Sequence, residues 1–181
     1  MTCPKIHLIN PDGGTYLVCS RFVRGAFLFG VDETTGKGFS HRRDWIENRI
    51  LALSKIFTIS VYAYALMRNH YYIVLRMDVI TLSDKQVADR WLQLSPGRKV
   101  NNRIVDALSA RRSALLGDEI RLAEVRSRLR SLSWFMRFIN EPLARFANKE
   151  DDCTGDSGKD GSNLMCYWMR LQYLPAWSML I

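Results

Sequence analysis

Residues 59–77, I-S-V-Y-A-Y-A-L-M-R-N-H-Y-Y-I-V-L-R-M, leave the chain little freedom. The stretches 59–66 and 70–77 are rich in β-branched and aromatic side chains, so the segment predicts a hairpin turning at Met67-Arg68-Asn69. Side chains alternate faces along a strand. On the second strand Tyr71, Ile73, Leu75 and Met77 form an apolar set that should face a core. His70, Tyr72, Val74 and Arg76 share the other face. His70 and Tyr72, beside Asn69, are therefore the place to look for chemistry. A lone histidine of this kind is more often structural than a ligand. Tyr71 and Tyr72 are either packing or a platform on which bases stack.

The rest of the chain supplies partners for that hairpin. Thr15 to Val23 is a strand candidate. Ser40 reads as an N-cap for a helix over 41–57, with Trp45, Ile46, Ile50, Leu53 and Phe57 on one stripe and Arg42, Arg43 and Arg49 off it. Ser83 reads as the cap of a helix reaching Leu94, with Val87, Trp91 and Leu94 inward, stopped by Ser95-Pro96-Gly97. Residues 101–116 and 118–149 are helical by composition and are divided by Gly117-Asp118. Leu122, Val125, Leu129, Leu132, Phe135, Met136 and Ile139 make one apolar stripe, opposite Arg121, Arg126, Arg128 and Arg130. Pro142 either kinks that helix or marks a new one capped by Asn140.

The order strand, helix, strand, strand, helix is the front of a ferredoxin-like α+β fold with an antiparallel sheet. Such a fold closes with another strand. Residues 150–181 show no strand period, so the last strand is expected to be missing. The division expected is a domain with an Arg-rich helical extension over 1–149, then an acidic Gly-rich loop and apolar tail over 150–181.

At 181 residues the chain can bury a core of its own. No run of 18 uncharged apolar residues is present, so no membrane span is expected. The start of the chain lacks the apolar run of a signal peptide. Cys3, Cys19, Cys153 and Cys166 have no C-x-x-C spacing and read as reduced thiols of a cytoplasmic protein. The net charge of +8 is uneven: residues 81–149 carry +7, mostly as Arg, and residues 150–181 carry −3. Arg's planar fork matches phosphate oxygens, which suits a nucleic-acid partner. A solvated helical surface would show much the same composition.

Three ordered blocks resemble the HUH single-tyrosine transposases, in the branch of REP-associated tyrosine transposases, also called insertion-sequence-200-like. S-R-F-V-R-G-A-F-L at 20–28 looks like the first-strand S-R-x-V-R-x-A-F-L. A-L-M-R-N-H-Y-Y-I-V-L at 65–75 looks like A-x-M-x-N-H-x-H-hydrophobic. F-M-R-F-I-N-E-P-L-A-R at 135–145 looks like F-M-R-x-hydrophobic-N-x-x-Y-A-R. The resemblance spans about residues 15–155. It implies metal-dependent cleavage and rejoining of single-stranded or hairpin DNA in transposition. Two histidines on a strand would hold Mg²⁺ or Mn²⁺ at a scissile phosphate, and a helical tyrosine would attack it. Arg21, Arg24, Arg68, Asn69, Arg137 and Arg145 would contact DNA, with a homodimer as an open alternative for assembly.

This chain departs from the pattern where the chemistry lies. His70 matches the first histidine, but Tyr72 takes the place of the second, and a phenol with a pKa near 10 is a poor ligand for a hard cation. Leu143 stands at the tyrosine position and carries no nucleophile. Leu17 stands where relatives often have histidine. The resemblance therefore implies a copy impaired in catalysis and weakened in cation binding; the alternatives are a non-catalytic DNA-binding remnant and an unstable pseudogene product. Relatives continue after C-T-G into R-F-W-E-G-R-F-K-S, and codon choices permitted by residues 156–164 encode that string one base out of frame. The tail over 150–181 is therefore expected to be frameshifted.

Overall fold

The computed structural model describes residues 13–22, 30, 36, 38–68, 70–94, 99–100, 103–104, 107–150 and 164–170. The chain runs β1 (Gly14–Phe22), α1 (Ser40–Ile56), β2 (Ile59–Leu66), β3 (His70–Met77), α2 (Asp84–Leu94), β4 (Lys99–Val100), β5 (Arg103–Ile104), α3 (Leu108–Leu116), α4 (Glu119–Leu129), α5 (Leu132–Glu150) and β6 (Leu164–Arg170). It is an α+β structure. The main sheet has the order β2-β3-β1-β6 with antiparallel neighbours, and β4 and β5 pair separately.

The hairpin forms where the residue pattern places it. The Met67 N–H donates to the His70 carbonyl at 2.9 Å and closes the turn. Ile59 pairs with Met77, and Leu66 with Tyr71. Between Val61 and Ala63 the register shifts, leaving Tyr62 as the extra residue of a β-bulge.

One face of the sheet is the core face. Tyr16, Val18 and Ser20 of β1, Ile59 of β2, and Tyr71, Ile73 and Leu75 of β3 are all buried there. The helices bring Ile46, Ile50, Leu53, Val87, Val125, Leu129, Phe135, Ile139 and Leu143 to the same cluster. The apolar stripe read along 122–139 is buried throughout. Thr58 ties the layers together: its N–H donates to the Leu129 carbonyl and its carbonyl accepts from the Asp78 N–H, each at 3.1 Å.

Helix ends follow local chemistry, with corrections. Ser83 and Gln86 form a reciprocal capping box at α2, each side chain accepting from the other's N–H. Asp118 caps α4 through the Arg121 N–H at 2.9 Å. Ser40, expected as a cap, is instead the first residue of α1, and Phe39 precedes it without a side-chain cap. Arg42, expected off the buried stripe, is 1% exposed, with its guanidinium 4.2 Å from the Phe39 ring centroid. The helix expected over 118–149 is two helices, broken at Arg130-Ser131, where the Ser131 hydroxyl accepts from the Trp134 N–H. α5 then continues through Pro142 instead of ending there.

The expectation that the sheet lacks its last strand is corrected. β6 pairs antiparallel with β1, Leu164 opposite Phe22 and Arg170 opposite Tyr16. L-M-C-Y-W-M-R is apolar almost without interruption, so it carries no alternation to reveal it as a strand. Residues 151–163 and 171–181, on which most of the frameshift reading falls, lie outside the described residues. Among the described residues, no helix is long and apolar enough to cross a membrane.

Candidate nucleic-acid interface

The pairing of β1 with β3 decides which side chains meet. Arg21 stands opposite His70, Cys19 opposite Tyr72, Leu17 opposite Val74 and Thr15 opposite Arg76. These residues share the face turned away from the helices. None of them is buried, whereas every core-face residue of β1 between 16 and 20 is. The open face is thus a ladder of cation, imidazole, phenol and thiol at one end, with aliphatic residues beyond it and Thr15 and Arg76 at the other end.

His70 and Tyr72, two residues apart, pack edge to face, with ring centroids 5.1 Å apart and planes at 89°. The Cys19 thiol raises the Tyr72 phenol above its ordinary value: its charge when ionised acts most, burial next, and the hydrogen bond between them last. Tyr72 therefore stays a neutral phenol at physiological pH. The Arg21 side chain is exposed and makes no hydrogen bond or ion pair among the described residues.

This donor set does not fit a Mg²⁺ or Mn²⁺ site. One imidazole, a neutral phenol already bonded to a thiol, and a guanidinium across the ladder give a hard cation few oxygens and one repelling charge. Among the described residues, no group of three or more His, Cys, Asp or Glu side chains stands close enough to hold a metal ion.

The other residues singled out by sequence divide. Leu143 is 0% exposed, in the core on the opposite side of the sheet from His70. Asn140, three residues before it, accepts from the Tyr71 hydroxyl and, at 3.4 Å, from the Ser20 hydroxyl, both on the core face. Leu143, which the resemblance aligns with a tyrosine, and His70 are therefore not brought together within the described structure. Tyr71 is buried and offers no ring to a base. Arg68 is exposed in the hairpin turn. Arg137 and Arg145 are exposed on α5, and both pair with Glu141. Arg24 and Asn69 lie outside the described residues.

Three participants on this face escaped sequence reading. Cys19 becomes visible only through the β1–β3 register. Tyr62 is delivered by the bulge: it is 56% exposed and stands close enough to Arg76 of β3 to act on its guanidinium. Asp78 also pairs with Arg76 at 3.3 Å, and the two contacts, Tyr62 first, hold the guanidinium above its ordinary pKa.

A cavity of about 660 Å³ lies elsewhere, between α2 and α3, lined by Asp89, Leu92, Gln93, Leu108, Ser109 and Arg112. Arg112 crosses it to pair with Asp89 at 2.8 Å. It shares no residue with the open sheet face. No family model, curated protein or solved structure matches the chain.

Proposed function

We propose that this chain is a DNA-binding protein of the transposase type that grips single-stranded or hairpin DNA without cutting it. A ferredoxin-like sheet serves as its platform. The observation that carries this reading is the exposed Arg21 guanidinium, without a partner among the described residues, beside the His70–Tyr72 ring pair on the face of β1 and β3 turned away from the helices. A guanidinium supplies the phosphate contact, and aromatic rings supply surface that every base can use. The strongly basic 81–149 segment adds attraction at longer range.

Loss of cleavage follows from the same residues. The nucleophile position is an aliphatic side chain in the core, and the second imidazole is a phenol. Binding then needs no Mg²⁺ or Mn²⁺, in keeping with a donor set that does not fit either cation. A reduced Cys19 suits a cytoplasmic setting. β2, at the sheet edge, carries no charged residue across I-S-V-Y-A-Y-A-L, so a second copy of the chain is the protein partner proposed.

The test is a titration with single-stranded and hairpin DNA at several salt concentrations, with and without EDTA. Binding should weaken linearly on a log–log plot against salt and be indifferent to EDTA. Absence of binding in a folded sample overturns the proposal. The enzyme reading is tested alongside by incubating hairpin DNA with Mg²⁺ or Mn²⁺: the expected outcome is intact DNA, and a nick with protein linked to one end would restore catalysis.

A further inference from the structure

The open face has a second end. Six residues along β3 from His70, about 20 Å at a strand's rise, Arg76 stands beside Tyr62. The bulge puts Tyr62 there. Regular pairing places Val61 against Leu75 on the core side and Ala63 against Val74 on the open side, and the extra residue between them is turned outward onto Arg76. A bulge of this kind re-aims a side chain at a cost in ladder bonds. Here what it re-aims is a large aromatic ring, left 56% exposed next to a cation.

The two ends thus repeat one chemistry. Arg21 with Tyr72 lies at the first, and Arg76 with Tyr62 at the second. Between them Leu17, Val74 and Ala63 make a low floor with no carboxylate on it among the described residues. A duplex would offer such a surface only its backbone. An unpaired strand offers bases to the rings and phosphates to the guanidiniums.

We propose that Tyr62 and Arg76 form a second subsite for single-stranded DNA. One base stacks on Tyr62 and a neighbouring phosphate meets Arg76, while the strand continues across the floor to Tyr72 and Arg21. This rests on the DNA-binding reading above and specifies its substrate: an extended unpaired segment on the order of four nucleotides or more, held with little sequence preference. The charge complementarity is direct, because Asp78 compensates Arg76 only in part and Arg21 has no counter-ion among the described residues.

The experiment uses the full chain and fluorescein-labelled oligo-dT of two to twelve nucleotides in EDTA, read by anisotropy. Affinity should rise with length and level off once the strand reaches both ends. Tyr62→Ala should weaken binding of the longer oligomers about 5- to 100-fold, the range expected for one lost base–aromatic stack. It should leave the shortest oligomers unaffected. Tyr62→Phe, which keeps the ring but not the hydroxyl, should bind close to the parent. Circular dichroism on each variant confirms the fold, and Tyr62 is exposed enough for the substitution to be tolerated.

The outcomes separate. If Tyr62→Ala binds long oligo-dT like the parent while Arg21→Ala weakens it, the second subsite is wrong and the DNA-binding reading stands. If duplex of the same length competes as well as oligo-dT, the single-strand specificity is wrong. If the folded parent binds no DNA at all, both fail together.

Discussion

Asn140 shows how one side chain can be read correctly as special and wrongly as to why. Its place before Pro142 suggests a helix cap; in the structure it is the acceptor for two hydroxyls reaching up from the sheet, Tyr71 and Ser20. Asn140→Ala would leave the buried Tyr71 hydroxyl without that acceptor, at a cost of about 1–3 kcal/mol. A urea titration of the variant should show that loss, and Tyr71→Phe should lose less. Leu143 gives a second residue-scale prediction. Leu143→Tyr forces a larger, polar side chain into a filled core and should destabilise by about 1–3 kcal/mol. Combined with Tyr72→His it should still not nick DNA as a monomer, because residues 70 and 143 serve opposite faces of the sheet; nicking by a monomeric double variant would refute that placement.

At the scale of elements, the arginines divide into those already engaged and those available. Arg126 of α4 holds the Leu82 carbonyl and Asp84, so it anchors the start of α2. Arg128 lies over the Trp134 ring at 4.5 Å and near Trp91 at 5.6 Å, joining α2, α4 and α5 through cation–π contacts. Arg137 also lies over the Trp134 ring, 5.0 Å from its centroid. On α5, Glu141 is bonded by Arg137 first and Arg145 second, which lowers its pKa below the ordinary carboxylate value. A carboxylate with a depressed folded-state pKa stabilises above its unfolded pKa of about 4.3, and that contribution fades as pH falls through the folded value. The pair is exposed, so its effect on stability is small. Its effect on the proposed DNA binding should be larger: Glu141→Gln frees two guanidiniums, and should tighten that binding and steepen its salt dependence. Unchanged slopes in Glu141→Gln would show that α5 does not face the DNA.

At the scale of the whole molecule, β6 covers an edge of β1 that would otherwise expose unpaired N–H and C=O groups. Truncating the chain after Lys149 should lower the thermal midpoint and promote self-association in sedimentation. A truncated chain as stable and monomeric as the parent would mean that β6 contributes nothing to the sheet. The opposite edge, β2, pairs with no further strand among the described residues and carries no charge, so Ala65→Lys should reduce any association of the full chain while leaving its circular dichroism unchanged.

What the sequence determined by itself was local. The hairpin over 59–77, the partition of β3 into a core set and an open set, the Ser83 cap and the apolar stripe over 122–139 all follow from periodicity and cap chemistry, which act over a few residues. Tertiary structure decided the rest. Register across β1 and β3 brought Cys19 and Arg21 to Tyr72 and His70, positions some fifty residues apart that no local pattern links. Packing buried Arg42 against Phe39 and Leu143 in the core. β6 exists because β1 offered an edge to a segment whose own residues show no period, and Tyr62 faces outward because an added residue in one strand has to go somewhere. Each depends on contacts distant in sequence, whose partners only the folded chain selects.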